Sequence, residues 1–181
     1  MEQIQIHQKD FHIYIEEQFI LQRIKELAQA ITRDFEGTKP LFVAVLNGSF
    51  IFAADLMKGI SFPCEIQFVK VSSYHGTQST GKVQQLLGLN VPVENRKIII
   101  IEDIIDSGLT IDFLQKELWQ LQPESIHICS LLLKPEALKV PLEVHYTGFE
   151  VENQFLVGYG LDYDGLGRNL RHLYQAIEPA E

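Results

Sequence analysis

Hydrophobic positions along the 181-residue chain switch repeatedly between two spacings. From Phe19 to Phe35, the residues Phe19, Ile20, Ile24, Leu27 and Ile31 recur at steps of three and four, which predicts an amphipathic helix. Gly37 and Pro40 stop it. Leu41-Phe42-Val43-Ala44-Val45-Leu46 is wholly apolar and short, a strand that closes on Asn47-Gly48-Ser49, and Phe50 to Lys58 predicts a second helix. Strands are expected over Glu65 to Ser73, over the β-branched run Ile98 to Ile101, and over Ser125 to Leu133, with a helix from Thr110 to Leu121 between the last two. Beyond Lys134-Pro135, the segments Glu143 to Tyr146 and Phe155 to Tyr159 read as strands framing a smaller region.

Wholly apolar strands that alternate with helices belong to a parallel sheet covered on both faces, not to a half-solvated antiparallel one. The fold class is therefore α/β: an open, mainly parallel, twisted sheet flanked by helices, in one domain over 1–181 with a small appended lobe. No repeat, low-complexity stretch or linker interrupts it. The length suits one compact domain, and 46% hydrophobic with 22% charged residues is a globular composition. A formal net charge of −9 argues against a protein that neutralises a nucleic-acid backbone, although a local cationic pocket is still allowed. No apolar run approaches the ~18–20 residues of a bilayer span, so no membrane partner is expected. Met1 to Asp10 is polar and lacks a signal-peptide core. Cys64 and Cys129 lie far apart in apolar surroundings with no C-x-x-C pair, which fits buried thiols in a reducing cytoplasm.

Ligands of open parallel sheets bind at the carboxyl ends of the strands, where loops and helix N-termini meet. There, Ile98-Ile99-Ile100-Ile101-Glu102-Asp103-Ile104-Ile105-Asp106-Ser107-Gly108-Leu109-Thr110 delivers two adjacent carboxylates, then a short hydroxyl- and glycine-bearing loop, then a helix. Gly108 permits close approach, the helix N-terminus offers free N–H groups, and Ser107 and Thr110 add hydroxyls, which together make a phosphate cradle. The Gly-Lys-Ser/Thr ending of a Walker A loop is missing. Asp106 and Ser107 could merely cap the helix, but capping gives no reason for Glu102 and Asp103 at the end of so apolar a strand. Those two suit ribose hydroxyls or a hard divalent metal. Taken by themselves, Asn47-Gly48 is a turn, Ser72 to Lys82 a solvated loop, Lys134 a residue that could snorkel to solvent, and Phe155 an ordinary core aromatic.

Residues 98–110 closely resemble the phosphoribosyl-pyrophosphate-binding motif of type I phosphoribosyltransferases, and Glu102-Asp103-Ile104-Ile105-Asp106-Ser107-Gly108 is similar to the hypoxanthine-guanine branch. Several motifs agree in order from about residue 10 to 174. The resemblance implies purine salvage: Mg2+-dependent transfer of a 5-phosphoribosyl group from phosphoribosyl pyrophosphate to hypoxanthine, and to guanine, giving IMP or GMP and pyrophosphate. It implies that Ser107, Gly108, Leu109 and Thr110 hold the 5-phosphate, that Glu102 and Asp103 hold the ribose edge and a metal, and that Asp106 accepts the purine proton. Pyrophosphate would meet the backbone of Asn47 and Gly48, behind a non-proline cis peptide at Leu46-Asn47, and the side chain of Arg168. Many relatives carry Lys at the place of Asn47, so the backbone is what that loop contributes here.

Ser73 and Tyr74 would belong to a lid that excludes water. Lys134, a donor-only ammonium, would read the 6-oxygen and reject a 6-amino group. Phe155 would stack on the base, and Leu156 and Asp162 would meet its polar edge, Asp162 also reaching a second magnesium. Gly165 and Gly167 replace larger residues of many relatives, which predicts a loosely held Arg168. The resemblance further implies a hood lobe, built mainly from about residue 135 to 181 with the N-terminal residues, and a homodimer or homotetramer. The rivals are the same fold acting on xanthine or adenine, a nucleotide-sensing RNA-binding regulator, which needs a basic face, and a degenerate scaffold, which Glu102, Asp103, Asp106 and Lys134 together oppose.

Overall fold

A computed structural model describes residues 3–73 and 83–177. Along the chain run β1 (Gln3–Ile6), β2 (Lys9–Ile15), α1 (Glu17–Asp34), β3 (Leu41–Leu46), α2 (Phe50–Gly59), β4 (Glu65–Ser73) and β5 (Val83–Leu87). Then follow β6 (Lys97–Ile105), α3 (Leu109–Trp119), β7 (Ser125–Leu133), β8 (Tyr146–Glu150), β9 (Leu156–Val157) and β10 (Leu173–Ala176). A large sheet has the order β5-β4-β3-β6-β7-β8, parallel except for β5, which pairs antiparallel with β4. A small sheet has the order β1-β2-β10-β9 and is antiparallel.

The apolar strands are buried on both faces, as their sequence requires. Phe42, Ala44, Ile99, Ile101, Cys129 and Leu131 pack with α1 and α2 on one face. Leu41, Val43, Ile98, Ile100, Ile126 and Ile128 pack with α3 on the other. Their alternation is the period-two geometry of a strand. Burial raises the pKa of both free thiols, Cys64 and Cys129.

Helix α1 buries Ile20, Ile24, Leu27, Ala28 and Ile31. Phe19, which periodicity places in the same stripe, is instead 57% exposed, because the core direction follows Ile20 and Ile24 and Phe19 lies about 100° away from Ile20 around the helix. The first N–H of α1, Glu17 N, donates to His172 Nδ1 at 2.8 Å, so this helix is capped from the far end of the chain. Arg23 crosses to the carbonyls of Thr147 and Gly148 and ties α1 to β8.

Three departures from the hydrophobic pattern share one cause, pairing with a distant partner. Strand β6 continues through Glu102 and Asp103 to Ile105, because its ladder with β7 runs on to Ile105 opposite Leu133. The strand expected over Glu143 to Tyr146 lies over Tyr146–Glu150 and joins the large sheet beside β7, not the smaller region. The small sheet arises from β1, β2, β9 and β10; Ile6, Phe11, Val157 and Tyr174 form a core of their own, while Leu156 and Leu173 join the core packed with α1 and α2. Ser73, expected in a lid, ends β4 opposite Val83; Tyr74, expected beside it, lies outside the described residues.

Candidate active site

The carboxyl ends of the neighbouring strands β3 and β6 open onto a cavity of about 330 Å3, lined by Asn47, Gly48, Glu102, Asp103, Thr110, Leu156, Asp162 and Arg168 among others. On the β6 side, Gly108 adopts the left-handed conformation at φ +77° and opens α3. It supplies no capping side chain, and Ser107 Oγ reaches Leu109 N at a long 3.4 Å. The next N–H groups of the first turn have no intrahelical partner, which is the anion-binding property of a helix start. The turn is braced from behind: Lys139 N donates to the Ser107 carbonyl at 3.0 Å, and a Cβ on Gly108 would stand 3.2 Å from Leu138 and Val140.

Glu102 and Asp103 are buried at 8% and 7% exposure. Burial pushes the Glu102 carboxyl well above the usual range, and the neighbouring Asp103 charge and hydrogen bond push it the same way. Asp103 is also raised by burial, but the Glu102 hydrogen bond, nearby backbone N–H groups and the Arg168 charge oppose the shift. Burial thus lifts both carboxyls of the pair, Glu102 the more strongly. Glu102 Oε2 is buried with no hydrogen-bond partner.

The β3 side supplies backbone. The Leu46-Asn47 peptide is cis, as the resemblance implies. A Cβ on Gly48 would fall 1.8 Å from Asp103 Oδ2, and one on Gly160 would fall 2.0 Å from the Gly48 carbonyl oxygen. Both glycines are therefore demanded by close approach, not by the turn alone. Arg168 closes the rim: its Nη2 lies 2.6 Å from Asp162 Oδ1, and its Nη1 donates to the Gly160 carbonyl at 2.7 Å. Gly165 N donates to the other Asp162 oxygen at 2.8 Å. The loose hold suggested by Gly165 and Gly167 is thus not what the structure shows. Both glycines take positive φ, and together the turn and Asp162 pin the guanidinium.

Of the base-side candidates, Leu156 and Asp162 line this cavity, whereas Lys134 and Phe155 lie outside its lining. Lys134 is 7% exposed, and its Nζ donates to Asp106 Oδ2 and Asn153 Oδ1, each at 3.3 Å. Burial between two oxygen partners replaces the snorkelling lysine. Asn153 carried no sequence signal, since nothing local marks a loop asparagine as the partner of a lysine 19 residues away. Phe155 is 42% exposed, in edge contact with Tyr163 at 5.3 Å, and Lys9 Nζ stands 5.0 Å from its ring centre. It lines a separate cavity of about 870 Å3 with Lys9, His12 and Tyr163. Leu109 is 46% exposed beside the cup.

A parallel α/β sheet whose strand ends form a glycine-walled cup, with a buried acid pair as its floor and a helix start at its lip, defines a protein that handles a sugar phosphate or nucleotide. Residues 14–164 match the phosphoribosyl transferase domain family. The chain is 41% identical over 162 residues to a hypoxanthine-guanine phosphoribosyltransferase of Lactococcus lactis, covering 89% of this chain and 88% of that protein. It is 44% identical to the protein of the same name from Streptococcus mutans, covering 89% of each. A crystal structure of a hypoxanthine-guanine phosphoribosyltransferase from Bacillus anthracis aligns with a TM-score of 0.87 at 42% identity, over 92% of this chain and 98% of that one. The chain belongs to the phosphoribosyltransferase family and is an enzyme of that class. Among the described residues no helix is long and apolar enough to cross a membrane.

Proposed function

We propose that this enzyme transfers the 5-phosphoribosyl group of phosphoribosyl pyrophosphate to the ring nitrogen of a 6-oxopurine, hypoxanthine or guanine, releasing pyrophosphate in purine salvage. The observation that carries the reading is the buried Glu102–Asp103 pair, packed against the Gly48 backbone with Glu102 Oε2 unpartnered. Two desolvated carboxyls beside a phosphate cradle cost stability unless a ligand compensates them. Ribose hydroxyls and a hard cation do so. Mg2+ typically takes one or two carboxylates and completes its shell with water and substrate phosphates. Glu102 and Asp103 would hold it, with Asp162 near the pyrophosphate, and when bound it neutralises charge on the departing diphosphate.

The remaining roles follow from position. The α3 start, with Ser107, Gly108, Leu109 and Thr110, anchors the 5-phosphate; Asn47, Gly48 and Arg168 orient the pyrophosphate. Asp106 accepts the proton released from the purine nitrogen, or stabilises the developing cationic ring by its charge. Lys134 donates to the 6-oxygen, the exposed ring of Phe155 stacks on the base, and the Leu156 and Asp162 backbones meet its edge. We read the chain as one domain whose small sheet serves as the hood, with Ser73 and Tyr74 in the lid that excludes water. It acts in the cytoplasm as a homodimer or homotetramer. Incubation with phosphoribosyl pyrophosphate, Mg2+ and hypoxanthine or guanine should yield IMP or GMP, and turnover of adenine alone, or of no base by folded protein, would refute the reading.

A further inference from the structure

We infer that Asn153 is a positioning residue for the purine, holding the Lys134 ammonium so that one N–H, and one alone, is left for the ligand. This rests on the reading above, in which Lys134 donates to a ring carbonyl. An ammonium has three N–H donors and no acceptor. One is directed to Asp106 Oδ2 and one to Asn153 Oδ1, each at 3.3 Å, and Lys134 is too buried for water to be a ready third partner. The third donor is satisfied by a single acceptor. A carbonyl oxygen provides one; an amino group leaves the donor unpaired and adds donors of its own.

The two tethers differ in kind. Asp106 is charged, and its side chain is 57% exposed. Asn153 is neutral, and because Lys134 can only donate, the amide must turn its oxygen inward. It thereby shares the ammonium without placing a second negative charge beside Asp106. Without Asn153 the ammonium has one anchor left and turns toward that carboxylate, away from the base. The arrangement is a product of the large sheet: β8 lies in register beside β7, and Val151 N donates to the Leu133 carbonyl at 2.8 Å, which returns the chain to Lys134 two residues later. Asn153 itself is exposed, so its replacement leaves the core intact.

The test is steady-state kinetics with hypoxanthine and phosphoribosyl pyrophosphate on the wild-type enzyme, Asn153→Ala and Asn153→Asp. Alanine should raise the KM for hypoxanthine about five- to tenfold, the scale of one lost hydrogen bond, with kcat and the KM of the sugar donor within about twofold. Aspartate, which keeps the acceptor oxygen, should restore the hypoxanthine KM to within about threefold of wild type. An unchanged hypoxanthine KM in the alanine variant would overturn the inference. Equal changes in kcat and both KM values, or no rescue by aspartate, would overturn it too, since a merely structural role predicts those results. A wild-type enzyme inactive on 6-oxopurines removes the functional reading itself, an outcome distinct from an active wild type indifferent to Asn153.

Discussion

Both ends of the large sheet carry a cavity, and the larger of the two is at the end away from the Glu102–Asp103 pair. At the amino ends of β6 and β7, Asp34, Phe35, Lys97, Glu124, Ser125, His127, Glu143, Val144, His145 and Tyr146 line about 680 Å3, roughly twice the volume of the cup at the carboxyl ends. Most charges at this basal end are matched. Tyr146 donates to Asp34 at 2.9 Å, Lys97 lies 3.6 Å from Glu124, and His145 Nδ1 accepts from Ile128 N at 3.3 Å. Ser125 Oγ and His127 Nδ1 are buried without partners there, and an ordered water can serve such atoms. The apical cup differs in two respects: backbone approaches so close that a Cβ at Gly48 or Gly160 would collide with it or with the acid floor, and two carboxyls are buried side by side. Volume does not set the cup apart; close backbone and a buried carboxyl pair do.

The sharpest break of this contrast is Gly48→Ala. Its Cβ would fall 1.8 Å from Asp103 Oδ2, so the acid floor must move, and activity should drop at least about a hundredfold, as misplaced catalytic groups do. An alanine at position 48 with near-normal kcat would dismantle the account of the cup. Next in size, Asp106→Asn should lower kcat by about a hundredfold or more with little change in either KM, the range of a lost general base. A change confined to KM would assign Asp106 to binding. Lys134→Ala should raise the base KM about tenfold or more, a charge-assisted hydrogen bond being worth about 1.5–3 kcal/mol, with the donor KM nearly unchanged.

The smallest effects are on stability, where the two ends should answer pH in opposite directions. Glu102 has its folded pKa raised by burial and by Asp103, so its contribution is full below the ordinary value of 4.5 and is lost as pH rises toward the folded value. Glu102→Gln should abolish that loss, giving an unfolding midpoint higher than wild type by about 2–4 °C at neutral pH and by less at pH 4. His127 is lowered by burial, then by His145 and Lys97, against Glu143 and Asp34, so its contribution is present above the ordinary 6.5 and is lost as pH falls. His127→Phe should flatten that acid limb and leave kcat/KM unchanged within about twofold. Parallel pH responses at the two ends in thermal melts would collapse the comparison.

By itself the sequence determined the inner strands of the large sheet, because strands buried on both faces are apolar throughout, as over Leu41–Leu46 and Ile98–Ile101, or nearly so, as over Ser125–Leu133, and that pattern is local. It also determined the strand-end loop of residues 98–110, whose carboxylates, hydroxyls and glycine are contiguous. Tertiary structure alone decided what depends on partners far apart in the chain. The small sheet has strands too short and too mixed in polarity to announce themselves, and β8 takes its boundaries from β7. The same holds for Asn153 against Lys134, His172 on α1, and the grip of Asp162 and Gly160 on Arg168. Hydrophobic burial is written residue by residue along a strand, whereas hydrogen-bond partners and backbone clearances exist only once distant segments have been packed against each other.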